Sequence, residues 1–144
     1  MEMKTILIAL GMLGALAVLA AIRGAKRGAW RALEARFASD APIQGPEYRL
    51  RWCWFGTRAQ PYSNCFRAQL GDAGIRVRGI GPYAWGRSPV LLPWSAVRGL
   101  VPAGAFSLDS HELRMEAGGV EAGLVFPPDA LPVLARHGVV PART

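Results

Sequence analysis

The strongest constraint in this sequence is an N-terminal run of 18 residues, 5–22 (TILIALGMLGALAVLAAI), that holds no charge and lies between Lys4 and Arg23. A helix over this run would cover about 27 Å at about 1.5 Å per residue, close to the roughly 30 Å of a bilayer's hydrocarbon core. A cleaved signal peptide has a shorter apolar run of about 7–15 residues. We therefore predict an uncleaved transmembrane anchor over residues 1–22.

A signal peptide is the alternative, because Ala15-Leu16-Ala17 resembles an A-x-A cleavage site. That tripeptide lies inside the apolar run, however, and the cations that follow it oppose export. The same cations predict the orientation, since basic flanks stay in the cytoplasm. We expect a single-pass protein of the bacterial inner (plasma) membrane, with its C-terminal part in the cytoplasm and its cysteines reduced.

Residues 23–46 are predicted to form a basic amphipathic juxtamembrane helix and a linker, in which Trp30, Leu33 and Phe37 recur at helical spacing. This apolar stripe either dips into the headgroup region of the bilayer or packs against the domain that follows. A third arrangement is one long helix that joins span and stripe. The predicted juxtamembrane lipid contacts are Arg23, Lys26, Arg27, Trp30, Arg31 and Arg36.

Residues 47–144 are predicted to form a separate β-rich domain. Alternating patterns and turn residues predict strands at 48–55, 64–70, 75–80, 90–94, 97–101, 111–117 and 120–126, and a helix at 129–137. The predicted fold class is α+β: an N-terminal transmembrane helix, then a bent antiparallel sheet or small barrel of six to seven strands that a C-terminal helix caps.

The segment 89–97 (PVLLPWSAV) is a strand that carries a P-W-S turn into another hydrophobic position. Together with residues 61–65 (PYSNC), which precede a strand and a glycine turn, it resembles the pleckstrin-homology-like and GRAM-like domains of small membrane-anchored bacterial proteins. The resemblance covers about residues 47–139. It implies a binding or scaffolding module without catalytic residues, and the pleckstrin-like domains that bind phosphoinositides use basic residues on their first strands.

The predicted register gathers arginines on one face of the sheet. A first hairpin closed at residues 55 and 63 sets Arg51 opposite Arg67, and a second closed at residues 71 and 74 sets Arg67 opposite Arg78. Facing like charges destabilise a sheet, so an anion should relieve them. Residues 45–100 hold eight arginines against two acids. The predicted binding residues for anionic lipid headgroups or an acidic protein partner are Arg49, Arg51, Arg67, Arg76 and Arg78.

Two alternatives concern this face. The arginines could form a solvated surface that pairs with Glu112, Glu116 or Glu121 on other strands. Nucleic acid is the weakest partner, because Trp52 and Trp54 are predicted to face the core, where they cannot stack beside the arginines.

The first hairpin would also set Cys53 opposite Cys65. The pair would form a disulfide only in an exported domain and would be two thiols in the cytoplasm. With 2 cysteines and 2 histidines, the chain shows no metal-ligand spacing, and no nucleophile stands in a recognisable triad. We therefore predict no metal, no cofactor and no catalytic residue.

These observations favour a non-enzymatic, membrane-anchored adaptor or lipid-surface sensing module. The alternative is a structural accessory subunit of a larger membrane protein complex, in which the arginines meet a protein partner. Gly11 and Ala15 have the spacing of a small-xxx-small helix contact, so a homo-oligomer through the transmembrane helix is a further option.

Overall fold

The computed structural model describes residues 2–25, 28–104 and 109–142, with the backbone alone for residues 21–25. The architecture is α+β: helix α1 (Met3–Ala25), helix α2 (Gly28–Phe37), two antiparallel sheets, and a C-terminal helix α3 (Leu131–Arg136). Two of the predicted lipid contacts, Lys26 and Arg27, lie outside the described residues, and only the backbone of Arg23 lies within them.

Helix α1 is long and apolar enough to span a membrane. Its window Met3–Ala20 has a mean hydropathy of 2.1, and none of that window is buried. Side chains such as Leu7, Ile8 and Leu13 are exposed, although a helix of a soluble domain turns its apolar side to the core. The predicted helix is thus confirmed and runs slightly past residues 5–22 at both ends; a signal sequence would have the same length and hydropathy.

Helix α2 is separate from α1 and belongs to the folded domain. It begins at Gly28, whose φ of +72° lies in the left-handed region that favours glycine, so the arrangement as one long helix is wrong. Trp30 and Leu33 are 4% and 1% exposed within the hydrophobic core. The Trp30 ring meets Phe55 edge-on at a centroid distance of 5.0 Å and Phe66 at 5.4 Å. Trp30 is therefore a core residue rather than a lipid contact.

The described residues form nine strands in two sheets. The strands are β1 (Glu47–Arg49), β2 (Trp52–Phe55), β3 (Tyr62–Ser63), β4 (Phe66–Gly71), β5 (Gly74–Gly79), β6 (Val90–Leu92), β7 (Val97–Pro102), β8 (His111–Ala117) and β9 (Val120–Phe126). Sheet A has the order β1-β4-β5-β6, and sheet B has the order β3-β2-β9-β8-β7. The core lies between the two sheets, α2 and α3.

The chain passes between the two sheets twice at one corner. The backbone N–H of Leu50 donates to Phe66 in sheet A at 3.0 Å, whereas that of Arg51 donates to Val125 in sheet B at 3.0 Å. Between β3 and β4 the chain turns at Asn64, whose φ is +56°. Consequently β1 and β2 are two halves of one bent strand, and so are β3 and β4. Counted in this way, the domain has seven strands.

The sheets bend but do not close, so the predicted barrel is wrong. Strands β6 and β7 stand at the outer edges of different sheets and do not pair with each other. Other parts of the chain occupy these edges instead. Ala38 forms a bridge with Val90 of β6, and the N–H of Ala142 donates to Leu100 of β7 at 2.9 Å.

The β4–β5 hairpin has the predicted register, and the β8–β9 hairpin joins two strands at their predicted positions. In β4–β5, Arg67 is opposite Arg78, Gln69 is opposite Arg76, and the hairpin closes at residues 71 and 74. In β8–β9, residues 118 and 119 are both glycines with φ of +57° and +82°. Positive φ at both central residues is the requirement of a type I′ turn, which sets the strand ends opposite each other.

The first hairpin does not have the predicted register. Cys53 pairs with Tyr62 rather than with Cys65, and both cysteines are free thiols. Arg51 lies in the bend between the sheets, and the residue opposite Arg67 is Arg49.

Because of the same bend, the side chains of the first strand that face the core are not those predicted. Leu50 is buried in the core before the bend, and Cys53 is buried in the core after it, so two residues rather than one separate consecutive core positions. Trp52 and Trp54 consequently lie on the outer face of sheet B and not toward the core. Their predicted position, which was the argument against nucleic acid, is therefore wrong.

The C-terminal helix closes one end of the core. A 3₁₀ turn, Pro128–Ala130, leads into α3, in which Leu134 is fully buried. Trp94 of the P-W-S turn stacks on His137 at 4.2 Å and donates its indole N–H to the Gly71 carbonyl at 2.8 Å. The residues that carry the family resemblance thus tie α3 to the β4–β5 hairpin.

Candidate functional site

Three arginines stand side by side on the outer face of sheet A. Arg49 on β1 is opposite Arg67 on β4, and Arg67 is opposite Arg78 on β5. Their neighbours along the strands, such as Ala68 and Val77, are buried in the core, because successive side chains of a strand point to opposite faces. We call Arg49, Arg67 and Arg78 the arginine row.

One carboxylate serves two members of the row. Glu47 accepts hydrogen bonds from Nε and Nη2 of Arg78 at 2.9 and 2.8 Å, and from Nη1 of Arg67 at 3.3 Å. The hydrogen bond from Arg78 is the largest cause that holds the pKa of Glu47 below its ordinary value, and the same bond raises the pKa of Arg78. The row therefore already binds one oxyanion in the two-bonded geometry that a guanidinium offers to carboxylate or phosphate.

The row keeps an excess of positive charge. Arg49 is exposed and has no acidic partner among the described residues. The side chains of Arg67 and Arg78 remain 43% and 42% exposed beside Glu47. An oxyanion from outside can therefore approach Arg49 and Arg67 without displacing the bonds of Arg78.

The other two predicted residues of this face lie outside the row. Arg76 is on the same face, but the segment 41–45 crosses it: Nη1 of Arg76 donates to the Ala41 carbonyl at 3.3 Å, and Nε2 of Gln69 donates to the Ile43 carbonyl at 3.1 Å. Arg51 is exposed in the bend between the sheets. The structure thus brings together three of the five predicted arginines.

The acidic residues that were predicted to neutralise this face belong to sheet B. Glu112 accepts from Nη2 of Arg58 at 2.9 Å and from Nε of Arg114 at 3.0 Å. Glu116 lies 3.9 Å from Arg98. The predicted pairing is therefore wrong, and the acid that does pair is Glu47. A signal for it was present, since Glu47 and Arg49 are two residues apart and so share a face.

The row lies at the end of sheet A that adjoins α1. Arg78 is the penultimate residue of β5, and the next residue, Gly79, is packed so closely against the Tyr83 carbonyl that a Cβ would overlap it. The 3₁₀ turn Gly81–Ala84 that follows lies against α1. The remaining described cations of the juxtamembrane segment, Arg31 and Arg36, are exposed on α2.

A second polar cluster, which the sequence did not predict, lies on the outer face of sheet B. The indole of Trp54 covers Gly123 and donates to Glu112 at 3.3 Å, and the guanidinium of Arg58 stands 5.3 Å from the ring. The cluster borders an open groove of about 420 Å³. Because Glu112 already holds two arginines and the indole, this cluster is internally satisfied.

The described residues contain no group of three or more His, Cys, Asp or Glu that could hold a metal ion. Burial raises the pKa of the Cys53 thiol, with a smaller contribution from Cys65. A buried thiol with a raised pKa is a poor nucleophile, because the thiolate is the reactive form.

Neither protein-family models, nor curated proteins, nor solved structures give a match to this chain. Its class therefore follows from its own features. It is an α+β protein with one apolar N-terminal helix, two bent antiparallel sheets and a face that carries three adjacent arginines.

Proposed function

We propose that this protein is a non-enzymatic, membrane-anchored module of the bacterial inner membrane that senses or docks on an anionic lipid surface. Helix α1 spans the bilayer, the domain faces the cytoplasm, and the arginine row binds headgroup phosphates. The observation that carries the proposal is the position of Arg49 at the end of sheet A that adjoins α1. It lies beside Arg67 and pairs with no acid in the described part of the chain.

The anchor and its orientation rest on hydropathy and charge. The exposed apolar surface of α1 requires an apolar environment. The cations after the helix, including the exposed Arg31 and Arg36, favour the cytoplasmic side.

The energetics favour a weak contact that the anchor makes effective. Each basic residue near an anionic leaflet contributes about 1 kcal/mol, and this attraction falls off over a screening length of about 8–10 Å. Arginines must therefore lie close to the surface, as residues at the α1 end of sheet A do. Because α1 tethers the domain, the local lipid concentration is high, and modest affinity suffices.

The family resemblance agrees with this proposal. Seven strands, two of which are bent, followed by a C-terminal helix are the layout expected of a pleckstrin-homology-like domain, and the row lies on the first three of these strands. Basic residues on the first strands are also those that phosphoinositide-binding members of that family use. The sequence has no lysine-rich loop motif. The proposal therefore concerns anionic headgroups as a class and is not restricted to phosphoinositides.

Lipid retention by the full chain tests the proposal. The protein in mild detergent is titrated with phosphatidylglycerol or with phosphatidylcholine, and bound lipid is counted by native mass spectrometry. The test variant is Arg49→Gln with Arg67→Gln. The matched control is Arg98→Gln with Arg136→Gln, which removes the same charge from exposed positions on sheet B and α3.

We expect the test variant to retain less phosphatidylglycerol than the wild type and the control, with equal retention of phosphatidylcholine. Cations that flank α1 contribute equally to all three proteins, so the difference reports on the row. Equal phosphatidylglycerol retention in all three would contradict the proposal.

The second candidate function is an accessory subunit of a membrane complex. It is favoured by the Glu47 contacts, because a protein carboxylate already occupies part of the row. If the row binds an acidic protein, that protein will co-purify with the wild-type chain in mild detergent and be lost from the test variant, while lipid retention stays unchanged.

A further inference from the structure

We propose that Trp85, with the adjoining turn Gly81–Ala84, enters the interfacial region of the bilayer that α1 spans. This contact would be a second membrane attachment, independent of anionic lipid, that fixes the tilt of the domain. It rests on the membrane anchor of the proposed function, but not on the arginine row.

The exposure of Trp85 is the first observation. Trp85 is 49% exposed, and outside α1 the large hydrophobic residues exposed in the described chain are Trp85 and Val140. By contrast, Trp30 and Trp54 are buried. A large exposed aromatic residue is typical of a contact surface, and tryptophan is enriched where lipid meets water.

The position of Trp85 is the second observation. It directly follows the turn Gly81–Ala84, which lies against α1. Within the window Met3–Ala20, Val18 is the one residue that is partly covered, and the others are exposed, so we infer that the turn meets α1 toward the C-terminal end of that helix. If the apolar window fills the hydrocarbon, this end emerges at the headgroups, and Trp85 lies at the same level.

The turn is held rigidly, which is the third observation. The N–H of Tyr83 donates to the Ile80 carbonyl at 3.1 Å, and the N–H of Trp85 donates to the Pro82 carbonyl at 3.1 Å. Behind the turn, the Tyr83 ring packs edge-on against Tyr62 at 5.8 Å.

A buried cation supports the same turn from within. Arg87 is 7% exposed, and its guanidinium lies 5.6–5.9 Å from the rings of Tyr62, Phe66 and Tyr83. It also donates to the Tyr83 carbonyl at 3.3 Å. Because the turn is fixed to the domain in this way, insertion of Trp85 would set the angle of sheet A and bring the arginine row to the headgroups.

Depth-dependent fluorescence quenching tests the inference. The full chain is reconstituted in vesicles of phosphatidylcholine alone, with bromine atoms placed on the acyl chains close to the glycerol. The signal of Trp85 is the difference between the wild type and Trp85→Phe. Val140→Ser serves as a control, because Val140 is the other large hydrophobic residue that is exposed in the described part of the domain.

We expect the Trp85 difference spectrum to be blue-shifted relative to a water-exposed indole and to lose most of its intensity in brominated vesicles, with Val140→Ser unchanged from the wild type. A difference spectrum at the emission of a fully hydrated indole, unaffected by bromine, would overturn the inference.

The outcome is separable from that of the lipid-retention test. Quenching of Trp85 in neutral vesicles, together with indifference of the protein to phosphatidylglycerol, would contradict the proposed role of the arginine row and keep this inference. Loss of phosphatidylglycerol retention in the row variant, together with a hydrated Trp85, would do the reverse. Release of the whole chain from vesicles by alkaline carbonate would contradict both, because it would show that α1 does not span the bilayer.

Discussion

The carboxylate of Glu47 holds the guanidinium of Arg78 through two hydrogen bonds of 2.9 and 2.8 Å. These bonds keep the pKa of Glu47 below its ordinary value of 4.5. A carboxyl group with a depressed pKa in the folded state stabilises that state fully above its unfolded pKa, and this stabilisation is lost as the pH falls through the folded pKa. We therefore expect the melting temperature of the wild type to fall more below pH 4.5 than that of Glu47→Gln, measured by circular dichroism in detergent.

The same residue should regulate anion binding. Glu47 occupies Arg78 and part of Arg67, so its removal leaves the arginine row with more positive charge for an external anion. We expect Glu47→Gln to retain more phosphatidylglycerol than the wild type at neutral pH, with a stronger dependence on salt. A decrease in retention would mean that Glu47 orients the arginines rather than competing for them.

Packing on the outer face of sheet B gives a prediction with a matched control. A Cβ at Gly123 would overlap the indole of Trp54 and displace it from Glu112, whereas a Cβ at Gly99 would meet no atom within 4 Å. Both glycines are opposite Arg114, on either side of it. We expect Gly123→Ala to lower the free energy of unfolding by about 1–3 kcal/mol and Gly99→Ala to change it by no more than about 0.5 kcal/mol.

Urea unfolding of both variants, followed by far-ultraviolet circular dichroism, measures this difference. Equal stability of the two variants would show that the Trp54 indole can move aside without cost.

Helix α2 should be essential to the stability of the domain. Trp30 is 4% exposed, and truncation of a buried large aromatic side chain costs about 3–5 kcal/mol. We expect Trp30→Ala to lose this amount, and Arg31→Ala, on the exposed side of the same helix, to stay within about 0.5 kcal/mol of the wild type. If Trp30→Ala unfolds like the wild type, α2 is dispensable for the domain.

Thiol labelling distinguishes the two cysteines and reports the orientation. Burial raises the pKa of Cys53, so little thiolate is present near neutral pH, and its side chain is 1% exposed. We expect a membrane-impermeant maleimide to modify Cys65 in opened cells, to leave it unmodified in intact cells, and to reach Cys53 only after unfolding. Labelling of Cys65 in intact cells would place the domain outside the cytoplasm.

Sequence patterns predicted the structure best where a glycine turn fixes the register. The β4–β5 and β8–β9 hairpins agree with prediction because their turns are only two residues long. The predicted register of the first hairpin was wrong, because the alternation within residues 48–55 cannot reveal that the chain changes sheets there. At Arg51 the hydrogen-bond partner changes from sheet A to sheet B, and the core-facing phase shifts by one residue.

The candidate site was predicted in part for the same reason. Arg67 and Arg78 were correctly set opposite each other, since a tight turn connects their strands. The predicted register set Arg51 opposite Arg67, whereas Arg49 occupies that position in the structure, because the bend displaces the first strand. The role of Glu47 depends on a diagonal contact between β1 and β5, which are not neighbours in the sheet, and the cover over Arg76 depends on a linker without periodicity.

The two bridged edges of the sheets have a consequence for self-association. An uncovered edge strand is a template for pairing with another chain. Here Ala38 blocks the β6 edge and Ala142 blocks the β7 edge. These two of the four sheet edges are thereby less open to pairing with a second copy of the domain, and a dimer formed through the small residues Gly11 and Ala15 of α1 would leave both contacts in place.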